Sequence, residues 1–431
     1  MHPSSDHKPA DNHCVTRKTV VKNTIWELAS GLVSTVANLA TFVILGRAFG
    51  DDGYGVLSGT MAAMLLVGPF SALGAGHLIV RAVNEGGRRP RNAVRQFALL
   101  APIGGLLMFA IIFLTRSAFL PQSPLGLFIT IAIAELIAQP LLSVISQAAQ
   151  AVEDLKVSAV SILTSRIIRL IGAILFVFVF DQTTPELWGF VHLGAVVLGV
   201  LVGLQMLSGS IGGLPRPLRP RLTDARAGFP FGVSAGSLFI KNEADKYLLL
   251  RNGFDEQTGH YTAAYRLLTA AQVPVLALVN ATYARFFERG EDGQASTRLA
   301  LRLTAVGELY AVAVSVGMLI AAPILPRILG DEYTDAVFAV RALAVVPILL
   351  VAQLFAGQSL TGTGRNGLRV NLSVIAAVLN IVVNLIVIPR WNINGAIAST
   401  IATEAFLAIG LWIALARTEP VRADLAQTHR A

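Results

Sequence analysis

The chain has 431 residues, of which only 14% are charged, against about 25% in soluble globular domains. Apolar residues make up 54% of the sequence, and the mean hydropathy is +0.64. This composition excludes a water-soluble enzyme and indicates an all-α, polytopic membrane protein. The net charge of +8 fits basic cytoplasmic loops, so we expect a lipid bilayer around the chain and no nucleic-acid partner.

Charges and turn residues divide the sequence into twelve predominantly apolar stretches, each near or above the roughly 18 residues that suggest a spanning helix. The predicted spans are 25–46, 54–80, 96–115, 125–150, 158–180, 187–208, 229–251, 259–286, 299–323, 337–360, 367–389 and 395–416. They form an N-lobe (25–208) and a C-lobe (229–416) of six helices each. A cytoplasmic linker (209–228) joins the lobes, and cytoplasmic tails (1–24 and 417–431) flank them.

The basic residues are distributed unevenly between the two sides of these spans. If both termini are cytoplasmic, the inside segments hold 23 Lys and Arg residues and the outside loops hold five. Short cytoplasmic loops carry such an excess in membrane proteins. The bias supports twelve spans and predicts a multi-pass protein with both termini in the cytoplasm.

An internal repeat relates the two halves of the sequence. A shift of 204 places residues 44–47 over 248–251, Asp51 over Asp255, and Gly55 over Gly259. Two repeats of six spans have the same orientation in the membrane, an arrangement found in secondary transporters. The repeat therefore favours transport, and we expect the two lobes to superpose.

Four prolines fall inside predicted spans at roughly corresponding places in the two halves, namely Pro69, Pro140, Pro274 and Pro347. Proline removes a helix hydrogen bond and clashes with the preceding turn, so each predicts a kink. Alternatively, their presence reflects only the general frequency of proline in spanning helices.

Ionisable groups inside a bilayer are costly and are candidates for function. The cations within the predicted spans are Arg166, Arg169, Lys241, Lys246, Arg266 and Arg341, and the anions are Glu27, Glu135, Glu243, Asp245, Glu308 and Glu404. The two sets are equal in number, so the sequence does not indicate a purely cationic lumen. Arg341 lies near a span end, where its side chain can reach the interface.

Arg166 and Arg169 are three residues apart and share one helix face. Their forked guanidinium groups suit a pyrophosphate, although they could equally form a structural pair with Glu135 or another acid. Arg266 is about 10 Å inside span eight at 1.5 Å per residue, so we expect it to face protein or water.

Span seven carries the densest group of charges. Lys241 and Asp245 are four residues apart and Glu243 and Lys246 are three apart, so the helix could neutralise itself with two internal pairs. In the alternative interpretation Asp245 carries a coupling proton while Lys241 and Lys246 contact substrate. Glu27, near the cytoplasmic mouth of span one, is either a second ion-coupling residue or a solvated end charge.

Several segments resemble the polysaccharide-biosynthesis flippases of the multidrug/oligosaccharidyl-lipid/polysaccharide (MOP) exporter superfamily. They are Ile44–Gly50 followed by Tyr54–Gly55, Ala244–Tyr247, Gly259–Leu267, Thr361–Arg365, Leu379–Pro389 and Asn394–Ala398. The resemblance implies a MATE-like fold and a Wzx-type flippase of the bacterial inner membrane. Its substrate would be a polyprenyl-pyrophosphate oligosaccharide, its functional partners a polysaccharide polymerase and glycosyltransferases, and no cofactor is expected.

Two other functions remain open at this stage. A small-molecule or drug exporter of the same superfamily would favour an acidic lumen for cationic drugs. A membrane polymerase or acyltransferase would need a large outside loop or an intramembrane histidine with an acid partner. We expect His77 and His192 to stand alone, and no nucleotide-binding loop occurs in the sequence, so the chain is interpreted as a non-enzyme.

Overall fold

The computed structural model describes residues 17–288 and 293–417, without the side chains of residues 17–25, Glu27, Leu28 and Ala284. Within these ranges the chain is helical and contains no strand. The α-helices are α1 (Arg17–Ser71), α2 (Ala75–Asn84), α3 (Pro90–Phe97), α4 (Leu100–Leu114), α5 (Arg116–Phe119), α6 (Leu125–Ile133), α7 (Gln139–Ala151), α8 (Leu155–Ile174), α9 (Pro185–Ser210), α10 (Leu222–Arg251), α11 (Asp255–Ala271), α12 (Val273–Glu288), α13 (Gly293–Ala321), α14 (Leu325–Leu329), α15 (Ala336–Leu343), α16 (Val346–Gly362) and α17 (Asn366–Ala416). Two π-helical turns (Ala134–Ala138 and Leu175–Val179) and two 3₁₀ turns (Ala322–Ile324 and Asp331–Thr334) connect some of them.

Among the described residues, eight helices are long and apolar enough to cross a membrane, or nine if a pair bent by 41° at α15 and α16 is one span. Two of the eight, Ala29–Asn84 and Asn366–Ala416, are more than about 75 Å long at 1.5 Å per residue, twice a bilayer core. Both are broken internally, at Gly50 and at Asn392. Divided there, and with the charged helix α10 included, the segments follow the twelve predicted stretches.

The surface of these helices is apolar where lipid would contact it. Large side chains stand out from the bundle on several helices, including Leu107 at 59% exposure, Phe178 at 72% and Leu309 at 76%. Helices satisfy their own backbone hydrogen bonds and can therefore lie against hydrocarbon. The all-α, polytopic class expected from the composition is confirmed.

The helix is interrupted near each of the four prolines. The π-helical turn Ala134–Ala138 comes just before Pro140, α11 ends just before Pro274, and the 41° bend lies just before Pro347. After Pro69 the chain turns at Leu73 and Gly74, both with positive φ. The missing N–H and the ring of proline explain why the helices are interrupted at these four places.

The halves of the chain meet along α1, which packs against both α10 and α11, while α10 also packs against α17. Equivalent positions of the 204-residue repeat face each other in this contact. The side-chain oxygens of Ser58 and Thr262 are 3.0 Å apart. A Cβ on Gly55 would overlap the carbonyl oxygen of Asp255, and one on Gly259 would overlap that of Asp51. Glycine at both positions lets the two backbones touch, in a nearly symmetric crossing.

Further contacts close the same end of the bundle. His260 Nε2 is 2.9 Å from an Asp51 carboxylate oxygen and 3.1 Å from the Glu332 carbonyl oxygen. The Tyr333 hydroxyl donates to the Gly50 carbonyl at 3.0 Å. We call this end, with Ser58, Thr262, His260 and Tyr333, the closed end. The charge bias of the loops predicts that it faces outward.

Candidate functional site

A cavity of about 300 Å³ lies between the two halves, beneath the closed end. Its wall includes Ser58 of α1, Phe239 of α10 and Arg266 of α11. Through shared wall residues such as Glu135 and Gln139 it adjoins a second cavity of about 200 Å³, lined also by His77 and Phe231. The space therefore extends away from the closed end, towards the end for which the loop charges predict a cytoplasmic location.

Three guanidinium groups line the larger cavity, those of Arg166, Arg169 and Arg266. The i,i+3 spacing puts the first two on one face of α8, and Arg266 comes from α11 across the space. Arg169 is buried and donates to the Asn38 side-chain carbonyl. The Tyr54 hydroxyl lies beside the Arg266 guanidinium.

The same wall contains one carboxylate, Glu135, which the sequence offered as a partner for the arginines. Its oxygen instead lies 2.8 Å from His192 Nε2, so the expectation that His192 stands alone is wrong. The two residues are 57 positions apart in sequence, and no spacing rule links them. His77 stacks on the ring of Phe231, with 4.9 Å between ring centres.

Of the two pairs that the sequence suggests within α10, one forms and the other does not. Lys246 does bind Glu243, at 2.6 Å, and also lies 4.4 Å from the centre of the Tyr265 ring. Lys241, however, binds Glu404 of α17 at 2.9 Å. The predicted Lys241–Asp245 pair is therefore wrong. A same-helix pair stabilises the helix by only about 0.2–0.5 kcal/mol. Pairing with Glu404 avoids a larger cost, because Glu404 would otherwise be a buried charge without a partner.

Asp245 is fully buried and is held by neutral donors. It accepts hydrogen bonds from the hydroxyls of Tyr261 and Thr400, the latter at 3.0 Å. Its Oδ1 atom has no hydrogen-bond partner among the described residues. A buried carboxylate with a free oxygen is costly to keep, which sets Asp245 apart from the paired charges around it.

Of the predicted substrate and ion residues, the three arginines come together in one cavity. Lys241 and Lys246 are not among its wall residues and are held by carboxylates. Asp245 lies outside the wall as well. The side chain of Glu27 lies outside the described residues. The sequence does not identify Asn38 as a wall residue, place Tyr54 beside Arg266 or pair Glu135 with His192, because contacts between distant spans depend on packing.

The Lys241–Glu404 pair predicts a large single-mutant effect on stability. Lys241→Gln leaves the Glu404 carboxylate buried without its cation, at a cost of about 3–5 kcal/mol. Joint neutralisation in Lys241→Gln/Glu404→Gln should recover most of that loss, as measured by thermal unfolding in detergent. The matched control is Arg81–Glu85, also 2.9 Å apart but exposed at 62% and 71%, where neutralisation should change stability by less than about 1 kcal/mol. Equal losses at both sites would contradict a buried structural pair.

The fold is shared with solved structures of membrane transporters. It matches an inward-facing multidrug resistance MATE family transporter of the MOP superfamily with a TM-score of 0.74, over 90% of this chain and 96% of the other, at 14% identity. An outward-facing structure of a MATE family transporter matches with a TM-score of 0.61, at 14% identity over 93% and 97% of the two chains. A MOP superfamily transporter from Pyrococcus furiosus gives 0.62 with the same identity and coverage.

The family model described as "Polysaccharide biosynthesis protein" matches residues 20–288. The chain belongs to this family, and the family expected from the sequence motifs is confirmed. The chain is thus a member of a polysaccharide biosynthesis family, and its fold is the one seen in solved transporters of the MOP superfamily. No curated protein sequence matches the chain.

Proposed function

We propose that the chain flips a lipid-linked oligosaccharide from the cytoplasmic to the outer leaflet of the bacterial inner membrane. The family model connects the chain with polysaccharide biosynthesis, and the resemblance to Wzx-type flippases implies a glycan carried on polyprenyl-pyrophosphate. The observation that carries the proposal is the placement of Arg166, Arg169 and Arg266 around one cavity between the halves. Guanidinium groups bind phosphate oxygens in forked, charge-assisted pairs.

The lipid-linked substrate explains the position of this cavity. Its pyrophosphate would bind the arginines, while its polyprenyl chain stays in the bilayer beside the bundle and its glycan occupies water. Glycosyltransferases would supply the substrate, and a polysaccharide polymerase would consume it outside. We find no nucleotide-binding motif in the sequence. Consumption of the product outside would then be one way to drive net transport in the outward direction.

The closed end fits one state of an alternating-access cycle, in which the cavity opens to one side of the membrane at a time. Contacts between the halves at Ser58–Thr262 and His260–Asp51 seal one end, and the cavity extends towards the other. Release to the outer leaflet then requires these contacts to separate while the cytoplasmic end closes. Both termini remain in the cytoplasm in this arrangement.

A drug exporter is the second candidate, because solved multidrug transporters share the fold. The charges of the cavity distinguish the two. Three guanidiniums and one carboxylate in the wall repel a cationic drug and attract a diphosphate. In detergent-purified protein, inorganic pyrophosphate should compete with a lipid-linked pyrophosphate for the cavity, and a cationic dye should not.

We propose Asp245 as the ion-coupling residue. Its free, buried oxygen is the kind of group that gains from binding a proton or a small cation. Asp245→Asn keeps an acceptor for Tyr261 and Thr400, so the protein should insert and fold. Flipping driven by an imposed proton or sodium gradient should fall to the rate without a gradient.

Proteoliposomes with a pH gradient and with a sodium gradient, tested separately, would show which ion is used. Thr400→Val is the control, because it removes one hydrogen bond and keeps the carboxylate. Gradient-stimulated flipping in Asp245→Asn would remove Asp245 from the mechanism.

A further inference from the structure

Glu135 and His192 form a buried acid–imidazole pair in the wall of the arginine cavity. Their side chains are 6% and 1% exposed, and 2.8 Å separates the carboxylate oxygen from Nε2. Glu135 lies in the π-helical turn Ala134–Ala138 and His192 in α9. The wall thus contains titratable groups in addition to its arginines.

The hydrogen bonds of His192 determine where its proton sits. Nδ1 is buried and has no hydrogen-bond partner among the described residues. A proton on Nδ1 would be a buried, unsatisfied donor, which is costly, whereas a bare Nδ1 costs less. Nε2–H therefore donates to Glu135, and in this conformation the pair carries one proton and one negative charge.

The charges that face the pair come chiefly from α8. Arg166 and Arg169 line the same cavity, and Arg266 of α11 lies across it. The other helices packed against the π-helical turn and α9 near the pair, α4, α6 and α7, contain no ionisable residue. On α1, the titratable side chain among the wall residues is Tyr54. The negative charge of the pair is therefore balanced by the arginines that we assign to the substrate.

We propose that the Glu135–His192 pair is a proton-binding site whose occupancy is linked to anion binding in this cavity. When a diphosphate binds the arginines, their charge no longer offsets the carboxylate, and phosphate oxygens repel it. One proton from water then binds the pair, whose charge changes from minus one to zero. Because linkage is reciprocal, protonation of the pair strengthens anion binding by the same factor. This inference rests on the proposed function, since it requires that the cavity binds a diphosphate.

The linkage gives the cavity a charge that adapts to its contents. Without substrate, the carboxylate offsets part of the cationic charge and limits the cost of three neighbouring guanidiniums. With substrate, the neutral pair removes an anion that would oppose the phosphate. Protonation of the pair thus limits the loss of anion affinity that a permanently charged carboxylate in the wall would cause.

Calorimetry with inorganic pyrophosphate tests the proposal. Titrations of the purified protein in buffers of different ionisation enthalpy give the number of protons taken up per bound pyrophosphate. The wild-type protein should take up more protons than Glu135→Gln, by up to one, because the probe's own protonation is common to both. Glu135→Gln should also bind pyrophosphate several-fold more tightly at alkaline pH, where the wild-type carboxylate is charged.

The double variant Glu135→Gln/His192→Gln, which keeps a neutral hydrogen-bonded pair, should behave in the same way if the single variant folds poorly. Glu308→Gln, a half-buried acid of α13 outside the cavity wall, should keep the wild-type uptake. Equal proton uptake in wild type and both Glu135 variants, with pyrophosphate bound, would overturn this inference alone. Failure of the wild type to bind pyrophosphate would overturn the proposed function and this inference together.

Discussion

Replacing the three cavity arginines by alanine is expected to abolish flipping while leaving the protein in the membrane. Each of Arg166, Arg169 and Arg266 would lose hydrogen bonds to a charged group, which contribute about 1.5–3 kcal/mol each. Each single substitution should therefore weaken pyrophosphate binding by about 10- to 100-fold, at 1.4 kcal/mol per factor of ten. Binding is measured by calorimetry, and flipping by the appearance of labelled lipid-linked oligosaccharide in the outer leaflet of proteoliposomes.

Lysine at these positions should also fail where the contact is forked. A single ammonium cannot reproduce two parallel donors, so Arg166→Lys and Arg169→Lys should recover only part of the lost affinity. The matched control is Arg341→Ala, since Arg341 is exposed on α15 and lies outside the cavity wall. Normal flipping in all three cavity variants would show that the arginines do not hold the substrate.

A disulfide across the closed end is expected to stop transport completely. Ser58 and Thr262 belong to different halves and their side-chain oxygens are 3.0 Å apart. Cysteines at both positions, with the single native cysteine, Cys14, replaced by serine, should form a bond that holds the closed end shut. Flipping should fall to the level of empty liposomes after oxidation and return after reduction.

The single-cysteine variants provide the controls for this experiment, and oxidation should leave their flipping unchanged. Crosslinking is measured by the mobility of the protein on a non-reducing gel after specific cleavage between positions 58 and 262. A crosslinked protein that still flips its substrate would contradict alternating access through this end. Absence of a crosslink would contradict the contact itself.

The sequence predicts the helices well because hydropathy and loop charge report directly on the bilayer. The breaks at Gly50 and Asn392 fall between predicted spans, and a helix interruption occurs near each of the four prolines for which a kink is predicted. The structure adds that equivalent positions of the repeat touch, since Ser58 and Thr262, which are in contact, are 204 positions apart. Glycine at positions 55 and 259 allows the backbones of the two halves to approach closely at this contact.

The candidate site is only partly predictable. Arg166 and Arg169 share a face because helix periodicity requires it, and this was accessible from spacing. The partner of Lys241 cannot be predicted from spacing, since Glu404 is 163 residues away. Spacing instead favours Asp245, which lies four residues from Lys241 on the same helix. The sequence likewise does not distinguish Glu135 and His192 from other polar residues within spans. Only the packing of the helices places a Glu135 carboxylate oxygen 2.8 Å from His192 Nε2.

The most direct test of the account is the flipping of a purified polyprenyl-pyrophosphate oligosaccharide in proteoliposomes that contain only this protein. The wild type should move the labelled substrate between leaflets, and the Arg166→Ala/Arg169→Ala/Arg266→Ala variant, reconstituted in equal amount, should not exceed empty liposomes. Excess pyrophosphate should inhibit the wild type, and a cationic dye should not. Wild-type proteoliposomes that leave the lipid-linked substrate where it was added, but accumulate the dye, would contradict the account.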